Sequence, residues 1–413
     1  LGTFVGHMID RCESAGVPVI VCTPPANERG LAPLGEDDLS GLDGEGRARI
    51  TDSVGRAEAL LESDPEAAAR SARHAIEIVP THARAHWLLG RALDALGEHT
   101  ESAAAFARSV DLDPMPWRAP SDSVEAIRRA TAERGAVLCD LVGVFRAASP
   151  GGSVGWELMD DHVHPSLTGQ AMIGLAIAES VPEAVPWVGF TAADVRALAD
   201  PGGAIDRLGS TPYDRYAAAH AMRVLGRIPF FERTNPHYLS RFDAECERIE
   251  AASSPEAAEG IGAWRSPPKG GGVRRPITGM VAMAYFERGR YAEAEPLFNA
   301  ASRAVEPYGT WALQYVSLEL TCRGASRGSL GERDRQLAAE MIGRGRFLIE
   351  NGYSTTGVAE RYVGEFHLLR GELAEAIDWL LEARSRLPED GRVAVDGALV
   401  RAVVQSGQRE RAE

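Results

Sequence analysis

Acidic and imidazole side chains are concentrated in one short segment, residues 160–164, with the sequence Asp-Asp-His-Val-His. Within it, Asp161 and His164 are three residues apart, directly before Pro165. On a turn that leads into a helix, this spacing lets a carboxylate accept a hydrogen bond from one imidazole nitrogen and leaves the other nitrogen free as a base. The pair therefore supplies two of the three groups of a serine–histidine–aspartate triad, and the nucleophile has to come from another part of the protein.

The segments around this pair predict the elements that would position it. Ser166 is a typical N-cap residue, and residues 167–181 have the apolar periodicity of a helix. Upstream, residues 17–23 and 136–142 are continuous apolar runs, each preceded by a helical segment that ends in glycine. Continuous apolar runs are typical of strands in a buried parallel sheet. The sequence therefore predicts helix, strand and loop twice over, with the acid–base pair after the second strand.

The motif Asp-x-x-His-Pro, followed by a helix rich in small residues, resembles the last conserved block of the SGNH/GDSL hydrolases. The resemblance implies a flavodoxin-like three-layer α/β domain in which Asp161 orients the imidazole and His164 is the general base. It also implies a Gly-Asp-Ser nucleophile and a Gly and an Asn in the oxyanion hole. Neither Gly-Asp-Ser nor Gly-x-Asn-Asp occurs in the 413 residues. We therefore expect a fragment whose nucleophile lies upstream of Leu1.

Two further residues are candidates for substrate binding. Asn27 follows the end of the first predicted strand, and Arg118 precedes the helix before the second. In the hydrolases that the chain resembles, loops at this edge of the sheet shape the substrate pocket. The competing interpretation is that both are ordinary loop residues.

The acid–base segment has alternative interpretations as well. Asp161 and His164 could form an acidic helix start with a capping histidine. The four ionisable residues of segment 160–164 could instead share a metal ion, but the sequence has no second His or Cys cluster at a suitable spacing. We therefore predict neither a metal nor another cofactor, and we expect His162 to be a solvated loop residue.

Residues 83–114 follow a different pattern, that of two helices with small residues at their packing positions. Gly90, Phe106 and Pro114 lie close to the positions expected in a tetratricopeptide repeat, and a weaker copy precedes them by one period of about 34 residues. Small residues let two antiparallel helices pack closely, and the proline ends the second helix. This resemblance predicts a helical insertion over residues 45–114.

The repeat pattern returns in the C-terminal part of the chain, whereas residues 190–270 are helical in composition without a clear register. Residues 267–272 are rich in proline and glycine, as in a flexible link. The residues that match the repeat are Ala282, Tyr285, Gly289, Tyr291, Ala294, Phe298 and Ala301, then Gly364, Gly371, Ala376, Leu380, Ala383 and Pro388. The predicted divisions are 1–44 and 115–188 for the two α/β segments, 45–114 for the insertion, 189–270 for degenerate repeats and 271–413 for a repeat array.

Composition narrows the classes of partner. The hydrophobic content of 45% is enough for full cores, and the net charge of −15 without a long basic block argues against a nucleic-acid partner. The sequence has no apolar run of the ~18 residues that a membrane helix needs. The five cysteines are isolated from one another, which is typical of reduced core thiols and predicts a cytoplasmic setting. An export signal upstream of Leu1 stays an open alternative.

These patterns support two hypotheses of different classes. In the first, the whole protein is an SGNH-type serine esterase or acyltransferase that acts on an ester-linked acyl or acetyl group of a saccharide or small molecule. Its repeats would recruit the partner or substrate. In the second, the chain is a non-catalytic tetratricopeptide scaffold with a relic hydrolase domain, and its repeat groove binds a protein or peptide. A Gly-Asp-Ser motif upstream of Leu1 would favour the first hypothesis.

Overall fold

The computed structural model describes residues 1–198, 200–266 and 274–407, so the predicted link at 267–272 lies outside the described residues. The described chain is mainly helical. The helices, in chain order, are α1 (Gly2–Ser14), α2 (Gly44–Leu60), α3 (Pro65–Ile78), α4 (Ala83–Ala95), α5 (His99–Leu112), α6 (Ser121–Glu133), α7 (Leu141–Ala148), α8 (Leu167–Ala184), α9 (Ala192–Leu198), α10 (Pro201–Leu208), α11 (Pro212–Gly226), α12 (Pro229–Thr234), α13 (Tyr238–Ala251), α14 (Pro255–Arg265), α15 (Ile277–Glu287), α16 (Tyr291–Arg303), α17 (Thr310–Arg327), α18 (Glu332–Glu350), α19 (Val358–Arg370), α20 (Leu373–Arg386) and α21 (Glu389–Ser406).

The chain forms two compact units. Unit 1 consists of Leu1–Asp206 and Ala221–Asp243, and unit 2 consists of Arg207–His220 and Ala244–Glu413. None of the helices that the structure describes combines the length and the apolar character required to cross a bilayer.

The flavodoxin-like three-layer α/β fold that the sequence predicted is not seen in the part of the chain that the structure describes. In the described residues the strands are β1 (Ile20–Cys22) and β2 (Val137–Cys139), which pair in parallel with Cys22 opposite Cys139. The second apolar run stops early because Asp140 follows β2 and α7 begins at the next residue. Two apolar runs therefore yield three strand residues each, and this part of the chain is a two-stranded pair with helices against it.

The helices predicted beside the strands are confirmed. The helix after the acid–base pair is α8, whose N-cap is Ser166, with its hydroxyl accepting a hydrogen bond from the Gly169 N–H at 3.3 Å. The helix predicted before the second strand is α6, and Gly135 leaves it with a φ of +64°. Helix α8 packs on both strands, and α1 packs on α6.

The predicted helical insertion forms two antiparallel helix pairs, α2 with α3 and α4 with α5. Gly90 on α4 faces the Phe106 ring on α5, and a Cβ at Gly90 would lie only 2.7 Å from that ring. Phe106 is fully buried in a core cluster with Trp87 and Leu88. Between the two helices, Gly97 turns the chain with a φ of +78°, a conformation that glycine adopts without steric cost. Close approach at Gly90 therefore allows the pair to bury Phe106.

Unit 2 contains helix pairs built in the same way. In α19 and α20, a Cβ at Gly364 would lie 2.7 Å from Leu380, sixteen residues further on, and Gly371 makes the turn with a φ of +80°. In α15 and α16, the residues at the same sixteen-residue spacing are Ala282 and Phe298, both fully buried. The same spacing in three helix pairs confirms the repeat pattern read from the sequence. Between the pairs of the insertion and those of unit 2, α9 to α14 are helical, as predicted for residues 190–270.

Candidate functional site

The acid–base segment is a tight loop between α7 and α8, closed by backbone hydrogen bonds. The Asp160 N–H donates to the carbonyl of His164, and the Ser166 N–H donates to the carbonyl of Leu158, both at 2.8 Å. Met159 and Pro165 form a bridge at the base of the loop. The loop therefore fixes the two ends of the Asp-x-x-His motif before the side chains interact.

Asp161 and His164 form the contact that their spacing predicts. The Asp161 Oδ2 and the His164 Nδ1 are 2.6 Å apart, while Oδ1 accepts from the backbone N–H groups of Val163 at 2.8 Å and His164 at 2.7 Å. The Asp161 side chain is 0% exposed, whereas the His164 side chain is 67% exposed. The Asp161 carboxylate accepts from three donor positions, so the His164 Nδ1 is assigned as the donor, a tautomer inferred from the hydrogen bonds. Nε2 has no partner among the described residues and can accept a proton.

His162 is not the solvated loop residue that we predicted. Its ring is buried against Trp117, with the two ring centroids 5.3 Å apart, and against Phe231 at 6.4 Å. Burial lowers the pKa of His162, although the neighbouring Asp161 acts in the opposite direction. His162 therefore packs the loop onto the rest of unit 1, and its burial favours the neutral imidazole.

The two predicted substrate-binding residues lie behind this loop, inside unit 1. Arg118 is 1% exposed and donates to the carbonyls of Asn27 and Leu31, each at 2.9 Å, and to the Asp113 carboxylate at 2.9 Å. Asn27 is fully buried, and its N–H donates to the carbonyl of His162 at 3.0 Å. These contacts give both residues a role in holding the loop. A contact with substrate stays a prediction.

The neighbouring serines and acids do not complete a catalytic or metal centre by themselves. The Ser166 hydroxyl is occupied as the cap of α8 and also donates to the Glu157 carbonyl at 3.3 Å. Ser153 is buried. Within the described ranges, no group of three or more His, Cys, Asp or Glu side chains is placed to hold a metal ion. The segment is thus an oriented acid–base pair without a nucleophile beside it in sequence.

Sequence reasoning missed the aromatic residues that support the loop from the far side. Tyr238 donates from its hydroxyl to the Asp160 carbonyl at 3.4 Å, and its ring centroid is 4.6 Å from that of Phe231. Burial raises the pKa of Tyr238. Phe231 belongs to α12 and Tyr238 to α13. Both helices lie in the stretch where the sequence shows no clear repeat register. Three aromatic rings within nine residues were the only local signal there.

A second candidate site is an exposed group of aromatic rings in unit 2, which we call the aromatic cluster. It consists of Tyr308, Phe347 and Tyr353, which are 53%, 43% and 71% exposed. Ring centroids are 5.1 Å apart for Tyr308 and Phe347, and 6.1 Å apart for Phe347 and Tyr353. The Arg344 guanidinium lies 5.9 Å from the Tyr308 ring centroid. Phe347 and Arg344 belong to α18, and the two tyrosines lie in turns that precede or follow helices.

Comparison with known proteins bears on the helix pairs of residues 58–114. Residues 58–114 match the family model described as tetratricopeptide repeat, so the chain contains tetratricopeptide repeats. No curated protein matches the chain. Among solved structures, the chain is similar to the tetratricopeptide domain of P58(IPK), at 13% identity over 87% of this chain and 99% of that one, with a TM-score of 0.23. A TM-score this low carries no argument about function.

Proposed function

We propose that this chain is a tetratricopeptide-repeat protein whose role is to bind a protein partner. The repeats supply the frame, since helix pairs of this kind present extended surfaces to other proteins. The observation that carries the proposal is the aromatic cluster of unit 2. Three aromatic rings with an arginine beside them form the type of surface that is enriched at protein interfaces.

Exposure of the aromatic cluster has an energetic consequence. Burying an exposed aromatic side chain in an interface contributes about 1.5–3 kcal/mol when it is removed from water. Tyr308, Phe347 and Tyr353 already contact one another, so a partner can cover them together with little loss of side-chain freedom. The cluster is therefore a plausible anchor for a protein surface or an extended peptide.

The proposal is tested by affinity capture of the tagged full chain from its source cells. The variants are Phe347→Ala and Tyr353→Ala. The matched control is Val393→Ala on α21 of the same unit, an apolar residue about as exposed as Tyr353. We expect each aromatic variant to lose specific co-purifying protein, because truncation of an interface anchor typically costs about 2 kcal/mol or more. The control should retain it. Identical captured proteins from all four chains would contradict the proposal.

A second function is favoured by one specific observation, the Asp161–His164 pair. In this hypothesis the whole protein is an SGNH-type ester hydrolase or acyltransferase acting on a small molecule or saccharide. His164 Nε2 would take the proton of a serine supplied elsewhere, and Asp161 would hold the imidazole in the required tautomer. The parallel pair β1/β2 with α8 against it would be part of an α/β domain. The predicted domain divisions and the cytoplasmic setting remain part of this proposal.

Fluorophosphonate labelling of the full-length native protein tests the second function. A catalytic serine activated by His164 would be labelled, and His164→Ala would slow or abolish labelling. Asp161→Asn would leave a residual rate, because the base would remain but in the wrong tautomer. Absence of label in the folded protein would exclude the serine hydrolase, and equal labelling of all three proteins would exclude this acid–base pair.

A further inference from the structure

Unit 1 contains a cavity of about 340 Å³ whose lining includes neither Asp161 nor His164. One wall is α4, which contributes Arg84, Trp87 and Arg91 at spacings of three and four residues and therefore from one helix face. The cavity is also lined by Trp156, which lies in a loop, and by Arg241 on α13. A cavity of this size accommodates a small organic molecule.

The charge around the cavity is unusual for this chain. Three arginines line it, against a single acidic residue, Glu58. The chain as a whole carries a net charge of −15. A local excess of cations on an acidic protein creates a positive potential that attracts anions specifically to this point.

Two of the three arginines are accounted for by polar contacts within unit 1. Arg84 forms an ion pair with Glu58 at 2.6 Å and donates to the Thr234 carbonyl at 3.0 Å. Arg241 donates to the Trp156 carbonyl at 3.2 Å, and its guanidinium lies 4.8 Å from the centroid of the Trp156 ring.

Arg91 is different from both. Its guanidinium lies 5.1 Å from the centroid of the Trp87 ring, and no hydrogen bond or ion pair engages it among the residues that the structure describes. The side chain is half-buried, and burial lowers the pKa of Arg91, although Asp94 acts in the opposite direction. Asp94 and Glu62 act on the Arg91 guanidinium only at a distance, so its N–H donors have no bonded acceptor among the described residues. A half-buried guanidinium without a bonded acceptor costs free energy that a bound oxyanion would offset. Stacking on Trp87 keeps the planar donor fork in a fixed position.

From this geometry we propose that the cavity binds a small organic oxyanion, a carboxylate or phosphate carried on an apolar or aromatic body. The oxyanion pairs with Arg91, where a guanidinium offers two parallel N–H donors. The apolar body lies against the rings of Trp87, Trp156 and Tyr238, which also line the cavity. The proposal is independent of the partner-binding role, because every lining residue belongs to unit 1 and the aromatic cluster belongs to unit 2.

An NMR titration of the full chain with three probes tests this site. The probes are phenyl phosphate, benzoate and the neutral benzyl alcohol. We expect saturable binding of at least one anion. The anion that binds more tightly shows whether the cavity prefers a phosphate or a carboxylate. Arg91→Gln should weaken that binding about tenfold or more, since a charge-assisted hydrogen bond is removed. Arg70→Gln, an exposed arginine on α3 outside the cavity, is the matched control and should bind as the wild type does.

The outcomes separate the proposal from a loss of folding. Circular dichroism melting establishes that each variant is folded, and Arg91→Lys, which keeps the charge but not the fork, replaces Arg91→Gln if the latter does not fold. Weakened anion binding by either folded Arg91 variant supports the site. The proposal is overturned if neither anion binds saturably, if benzyl alcohol binds as tightly as the anions, or if the folded Arg91 variant binds them unchanged.

Discussion

The helix pair α4/α5 and the loop at residues 160–166 belong to the same unit but are stabilised in opposite ways. The helix pair depends on apolar packing between residues sixteen apart, with Gly90 against Phe106. The loop depends on polar contacts that reach across the chain, to Asn27, Arg118 and Tyr238. Substitutions should therefore destabilise the helix pair through lost or strained apolar packing, and the loop through lost hydrogen bonds and ion pairs. The predictions below test that difference, beginning with the largest expected effect.

Removal of the buried Arg118 guanidinium should be the most damaging single change near the loop. Arg118→Leu leaves the Asp113 carboxylate buried without its cation and removes donors from two carbonyls. Breaking a buried ion pair from one side costs about 3–5 kcal/mol of unfolding free energy. Urea denaturation of the variant measures this loss. Arg70→Leu, which removes an exposed ion pair with Glu66, should cost less than about 1 kcal/mol, and equal effects of the two substitutions would contradict the comparison.

The helix pair should respond to an added methyl group according to the space around it. Gly90→Ala places a Cβ 2.7 Å from the Phe106 ring and should cost about 1–3 kcal/mol through overpacking. Gly55→Ala on α2, where a Cβ would meet nothing within 4 Å, should stabilise by up to about 1 kcal/mol. Opposite signs in thermal melting are the expected result. Stabilisation by both substitutions would show that helix propensity, and not packing, governs both positions.

The loop should show a pH dependence that involves His162. Because burial lowers its pKa in the folded state, the unfolded chain binds more protons at acid pH. The contribution of His162 to stability should be constant above the pKa of an unfolded histidine, about 6.5, and should fall as the pH drops through and below it. His162→Gln should make the slope of unfolding free energy against pH between about 7 and 5 smaller. An unchanged slope would show that His162 is not buried in neutral form.

The sequence predicted correctly those contacts that form between residues close together in the chain. The sixteen-residue spacing in the helix pairs, the Ser166 cap and the Asp161–His164 contact all depend on residues close in sequence. Such contacts follow from helical periodicity and turn geometry alone. These parts of the fold and of the candidate site could therefore be predicted.

Contacts between residues far apart in the chain could not be predicted from local sequence patterns. The sequence could not show that the two apolar runs supply a single parallel pair, because a sheet forms only where several distant strands meet. The sequence could not show that Phe231 and Tyr238 pack against the loop, because they lie about 70 residues away from it in the chain. For the same reason it could not show that Trp156 and Arg241 line a cavity together with Arg91. His162 was misassigned for the same reason: its burial depends on rings far away in sequence.

Site-specific photo-crosslinking tests the partner-binding role most directly. A benzophenone amino acid in place of Tyr353 would report on the aromatic cluster, and the same group in place of Val393 on α21 would report on a surface without it. We predict a discrete crosslinked protein from position 353 that disappears when Phe347→Ala is added and is not formed from position 393. The same crosslinked products from both positions, or none from position 353, would contradict a partner-binding role for this surface.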